Sequence, residues 1–234
     1  MTTQEFFNEF DILYNSITSN QAPGLDTYEK SVLLTQAQEE LVVEAYRGTF
    51  EGSEESRRAL CSLVTYTSLS PKTNKPEATT EKPALEPVKE VSQLGGPIFS
   101  LPAEVWFITY EAITIDSTDK CLKEALLDVV PVTQDEYNRI RKNPFRGPTE
   151  RHALRLDLKN GEVTIISKHP IKTYNIGYIK KPAPIILGNI APLTINGMST
   201  ESNCELNTVT HRDILKRAVE IAQSIYLKGG TQKQ

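Results

Sequence analysis

The chain has 234 residues, 38% apolar and 24% charged, with 26 Lys+Arg against 30 Asp+Glu and a formal charge of -4. That length carries one large domain or two small ones with a real core, and the mean hydropathy of -0.36 belongs to the polar end of soluble globular proteins; a peptide hormone, a bare linker and wholesale disorder are excluded. The acidic balance gives no bulk attraction to phosphate backbones or anionic lipid, so a dedicated nucleic-acid binder is not expected.

The longest nearly uncharged apolar runs, around 105–109 and 184–195, fall far short of the roughly 20 residues a spanning helix needs. The opening Met1-Thr2-Thr3-Gln4-Glu5 carries no basic leader. No membrane association and synthesis in a cytoplasm are the expectations. Cys61, Cys121 and Cys204 are widely spaced and form no CxxC pattern, which suits free thiols in a reducing compartment.

Phe6, Phe10, Leu13, Tyr14 and Ile17 recur at helical spacing, predicting an amphipathic helix over about 3–19 with Thr2 or Thr3 as N-cap. Asp26 followed by Glu29 forms a capping box for a second helix, through Val32, Leu33, Leu41, Val42 and Ala45, with Gly48 in the closing position. A third helix is expected over about 53–69, with Glu54 and Glu55 in its first turn and Leu60, Leu63 and Val64 on one side. From 70 to 97 the chain turns to Pro, Lys, Glu and Thr and cannot support a core, so it reads as a linker or extended arm. A tether between two parts and a segment ordered on a neighbouring subunit both remain open.

Leu101-Pro102-Ala103-Glu104 predicts a helical turn, 105–115 a strand and 126–132 another. Thr133 and Glu136 form a capping box for a short helix ended at Asn143-Pro144. The apolar alternations on either side of Asn160-Gly161 predict a β-hairpin, 174–179 a further strand stopped by Pro182 and Pro184, and 208–227 a final amphipathic helix. The fold class is therefore α+β: an N-terminal helical region (1–69), a linker or arm (70–97), and a mainly antiparallel β-sheet region ending in a C-terminal helix (98–234).

Phosphate-loop, dinucleotide, serine-hydrolase and zinc-protease signatures are absent from the sequence. His152, His169 and His211 lack metal-ligand spacing, so no metal and no cofactor is expected. Cys204 precedes His211 by seven residues and could be drawn as a nucleophile pair, but a lone Cys and His specify little, and the expectation is a non-enzyme. The paired acids Glu54/Glu55 and Asp135/Glu136 sit in first helical turns, where the helix dipole accounts for them. The most unusual stretch runs from Arg139 to His152, with five basic residues, two prolines and Phe145 between a helix and a hairpin. Arg and aromatic side chains anchor interfaces well, which makes Arg141, Asn143, Pro144, Phe145, Arg146, Pro148 and Arg151 the candidate contact residues. A solvated turn stiffened by proline is the competing reading.

Three stretches carry a resemblance: Tyr14 to Leu25 with Tyr28 to Glu39; Asn143-Pro144-Phe145-Arg146-Gly147-Pro148; and Leu193-Thr194-Ile195-Asn196-Gly197 running into Thr200 to Leu206. Together they resemble a virion neck ring protein of the crAss-like tailed bacteriophages, with 70–97 contributing nothing. The resemblance implies a non-enzymatic homo-oligomeric ring, a head-to-tail connector between portal and tail, dodecameric if it meets the portal. Its partners would be the portal and other ring proteins, with double-stranded DNA passing through the channel unbound. The location would be the virion, after synthesis in the host bacterium. A monomeric phage-encoded regulatory or host-directed binding module is the alternative.

Overall fold

The strongest local signal in the sequence, Asp26 with Glu29, closes as a reciprocal cap: Glu29 N–H donates to Asp26 Oδ1 at 2.7 Å and Asp26 N–H to Glu29 Oε2 at 3.0 Å. It opens α2 (Thr27–Arg47), which Gly48 ends in the left-handed conformation at φ 72°. A computed structural model describes residues 1–17, 24–48, 53–72, 96–116, 125–140, 143 and 145–230. They form two compact bodies, Met1–Val64 with Lys181–Gln234, and Thr65–Lys180. No described helix is long and apolar enough to cross a membrane.

In the first body, α1 (Thr3–Ile17) is capped by Thr2, whose hydroxyl accepts from Glu5 N–H at 3.3 Å, and it buries Phe6, Phe10 and Tyr14. The final helix, α5 (His211–Gly230), packs Ile214, Leu215, Ala218 and Val219 into this body, with α1 and α2 as its partners. An amphipathic face shows that a helix is covered, while its partners come from long-range packing.

The helix α2 also buries a polar stripe. Ser31 Oγ accepts from Leu187 N–H at 3.1 Å, Thr35 Oγ1 from Ile185 N–H at 3.1 Å, and Gln38 Nε2 donates to the Ala183 carbonyl at 2.8 Å. Three side chains at i, i+4 and i+7 thus serve an extended backbone as a neighbouring strand would, satisfying groups that would otherwise be buried unpaired. Buried Lys30 is neutralised by Asp11 at 2.7 Å, with its ammonium over the Phe7 ring.

The segment read as one helix over 53–69 divides into α3 (Ser53–Cys61) and a strand, β1 (Val64–Leu69). Leu60, Leu63 and Val64 do share a helical spacing, but Val64-Thr65-Tyr66-Thr67 is β-branched and aromatic and finds a place beside β7. The linker or arm region lies outside the described residues from 73 to 95. Its flanks meet, since Lys72 N–H donates to the Ile98 carbonyl at 2.8 Å. The expected turn over 101–104 is closed by Val105 N–H on the Pro102 carbonyl.

The second body is a seven-stranded sheet built from β1, β2 (Ile98–Ser100), β3 (Val105–Ile115), β4 (Leu126–Val132), β5 (His152–Asp157), β6 (Glu162–Ile166) and β7 (Ile171–Lys180), in the order β1-β7-β3-β4-β5-β6-β2. Among the pairs of given register, only β4–β5 is parallel. The Lys72–Ile98 bond brings the segment just after β1 against β2, the strand at the opposite edge, so the sheet is curled. Its inner face buries Phe99, Ile113, Ile115, Leu127, Val129, Val163, Ile165, Tyr174, Ile176 and Tyr178. The β5–β6 hairpin turns at Asn160 and Gly161 with φ of 60° and 69°, which is why Asn-Gly was so clear a signal.

Among the inner side chains lies a charged network. Arg155 of β5 reaches Glu111 of β3 and approaches Asp157 at 3.0 Å, while Tyr174 of β7 donates to Glu111 at 3.1 Å. Burial pushes the Glu111 carboxyl above its ordinary value, offset in part by Arg155. Burial and the neighbouring Glu111 push the Tyr174 phenol up.

Candidate functional site

Parallel neighbours cannot be joined by a hairpin, so the chain must cross from the end of β4 to the start of β5. The crossover begins with α4 (Gln134–Ile140), capped by Thr133: Glu136 N–H donates to Thr133 Oγ1 at 3.3 Å and Thr133 N–H to Glu136 Oε2 at 3.1 Å. Tyr137 and Ile140 pack on Leu154, Leu156 and Ile166, covering the outer face of β5 and β6. The candidate contact stretch is the remainder of this crossover.

Its backbone is pinned at both ends. Asn143 Oδ1 accepts from Phe145 N–H at 3.0 Å, and the Asn143 carbonyl accepts from Arg146 and Gly147 N–H. Farther along, Thr149 Oγ1 accepts from the N–H groups of Arg151 and His152 and pairs with His152 Nδ1 at 2.7 Å. Glu150 pairs with His169 and lies 3.5 Å from Lys168, and the hydrogen bond with His169 lowers the Glu150 carboxyl below its ordinary value. These bonds fix the loop's backbone on either side of its exposed side chains. Phe145 is 89% exposed, Arg146 and Arg151 are exposed, Asn143 is exposed, and Pro148 is half-buried. Arg141 and Pro144 lie outside the described residues. Composition revealed these residues; the Thr149, Glu150 and His169 contacts that hold them had no local signal.

The imagined nucleophile pair shares no hydrogen bond, each member being engaged by other groups. Cys204 donates its thiol to Gln38 Oε1 at 3.2 Å, and burial pushes it up to about 11, so it stays protonated and weakly nucleophilic near neutrality. His211 holds Leu206 O at 3.0 Å through Nε2 and the Met1 amino group at 2.8 Å through Nδ1, engaging both ring nitrogens. No group of His, Cys, Asp and Glu able to hold a metal occurs among the described residues.

Burial lowers the His211 pKa, with the Met1 amino group adding to it. The unfolded chain titrates this ring near 6.5, so as pH falls below that value it binds the proton first and stability is lost until pH passes below the folded pKa. Unfolding by urea should therefore have a lower midpoint at pH 5 than at pH 7, and His211→Gln should remove that part of the slope. An unchanged slope in the variant would contradict the assignment.

This geometry is an exposed loop whose backbone is held by hydrogen bonds on an α+β scaffold. Across residues 1–234 the chain matches the family model of phage tail ring protein 3/4, and it belongs to that family of crAss-like phage ring proteins. It is 42% identical over 232 residues to Ring protein 3 of Bacteroides phage crAss001, covering 95% of each chain. Ring protein 4/5 of the same phage is 36% identical over 242 residues, covering 97% of this chain and 94% of that one. The chain is thus a structural ring protein of the virion.

Proposed function

We propose that the chain forms a homo-oligomeric ring in the phage neck, a head-to-tail connector between portal and tail that surrounds the channel by which DNA leaves. The observation that carries this reading is the match of nearly the whole chain to Ring protein 3. A head-to-tail contact closes into a ring when its rotation allows, and a ring seated on a portal would take the portal's twelvefold order. The chain's charge of -4 suits a wall that DNA slides past without being gripped. The raised thiol pKa of Cys204 and the occupied ring of His211 fit a non-catalytic role. Arg146, Arg151 and Phe145 are the contact residues of this reading, with Asn143 and Pro148 shaping the loop and Arg141 and Pro144 beside them. Gold-labelled antibody against the chain, applied to purified virions, should decorate the head–tail junction. Label confined to the capsid shell or the distal tail would refute the neck position.

A further inference from the structure

The outer face of the curled sheet is covered by α4 over β5 and β6, and the same face over β1, β7, β3 and β4 carries exposed apolar side chains. Tyr66 is 72% exposed, Leu126 64%, Tyr110 46% and Val130 43%. The register places them on one face: Tyr110 lies opposite Gly177, Ala112 opposite Asp128 and Thr114 opposite Leu126. Gly177 is what lets the tyrosines sit so. A Cβ there would lie 2.6 Å from the Tyr66 ring and 3.2 Å from Tyr110 Cβ, so the Tyr66 ring rests against the bare backbone of β7 while most of its surface stays in solvent. Exposed Asp128 stands between Leu126 and Val130 and forms no ion pair with the described residues. Several other surface charges are answered within the chain, as Arg217 is by Glu40 and Lys181 by Glu39.

The 145–151 loop has the opposite character. It offers an exposed phenyl ring and two exposed guanidinium groups, Arg146 and Arg151, that likewise find no carboxylate among the described residues. Aromatic rings stack on one another and attract guanidinium over their faces, and an unpaired carboxylate beside them completes a site for Arg. We propose that the Tyr66–Tyr110 face of one copy receives the 145–151 loop of a second copy, Phe145 packing on the two tyrosines and Arg146 pairing with Asp128. The two surfaces differ, so the contact is heterologous, the kind that builds rings. This inference rests on the ring reading above and names its subunit contact.

Two single-cysteine variants, Tyr66→Cys and Phe145→Cys, made with Cys61, Cys121 and Cys204 replaced by serine, test it directly. Under mild oxidation their mixture should give a disulfide-linked pair that neither variant gives alone, a bond that can only join two copies. In parallel, Arg146→Glu and Asp128→Arg should each weaken self-association at least tenfold, with the double variant recovering to within about threefold of the parent. Thermal unfolding of each variant checks that the folded chain is what assembles. Assembly of the parent without the cross-link, or a double variant as weak as the worse single one, overturns the proposed contact and leaves the ring reading standing. A parent that stays monomeric at every concentration, alone and with the portal present, overturns both, and a parent that assembles no further than a dimer while the cross-link forms keeps the contact and refutes the ring.

Discussion

Replacing Arg155 with Ala should cost about 3–5 kcal/mol of folding stability, because it leaves the buried Glu111 carboxylate with no cation. Both members are well covered, their side chains 11% and 9% exposed. The loss should depend on pH. Glu111 already holds its proton above its ordinary value in the folded chain, so the unfolded chain ionises first and stability falls as pH rises from about 4.5 toward the folded value. Removing Arg155 raises that folded value further and widens the window, so the deficit should be larger at pH 8 than at pH 5. Replacing both residues with apolar ones, Arg155→Met with Glu111→Leu, should recover most of the loss. Chemical denaturation of the parent and these variants at the two pH values is the check, and an equal deficit at both would mean Glu111 is not what Arg155 neutralises.

The second large effect is expected at Phe6. Its ring is fully buried and lies 5.2 Å from the His211 ring, joining α1 to the start of α5. Phe6→Ala removes this packing and leaves a cavity that two docked helices cannot close, a loss of about 3–5 kcal/mol. Urea unfolding followed by helical ellipticity reads it. A loss below about 1 kcal/mol would show that α1 is not held on α5 through this ring.

What was legible in the sequence follows from how local each signal is. The Asp26–Glu29 box, the Gly48 cap, the Thr133–Glu136 box and the Asn160-Gly161 turn act within a few residues, and those elements form where their residues predicted. The bounds of β3 and β4 were also readable; β4 buries alternate residues as a strand with one face on the core does, and β3 is a long β-branched and aromatic run. The strand character of Val64–Leu69 was missed because its apolar spacing also fits a helix, and only pairing with β7 decides it. The parallel β4–β5 pair depends on where a crossover lands, which no local pattern states. The same division holds for the candidate site. Arg146, Arg151 and Phe145 stood out by composition, whereas the Tyr66–Gly177–Tyr110 face exists only once β1, β7 and β3 lie side by side. Ser31, Thr35 and Gln38 looked like ordinary helix residues, and their work as backbone partners emerges only when residues 183–187 are laid along α2.

Assembly is the central claim, and the mass of the native particle measures it most directly. Light scattering on the purified chain, alone and after mixing with the cognate portal, should show a closed multiple of the 26.2 kDa subunit or co-elution of the chain with the portal. A monomer that persists across concentration and ignores the portal would contradict the account and favour a monomeric binding module.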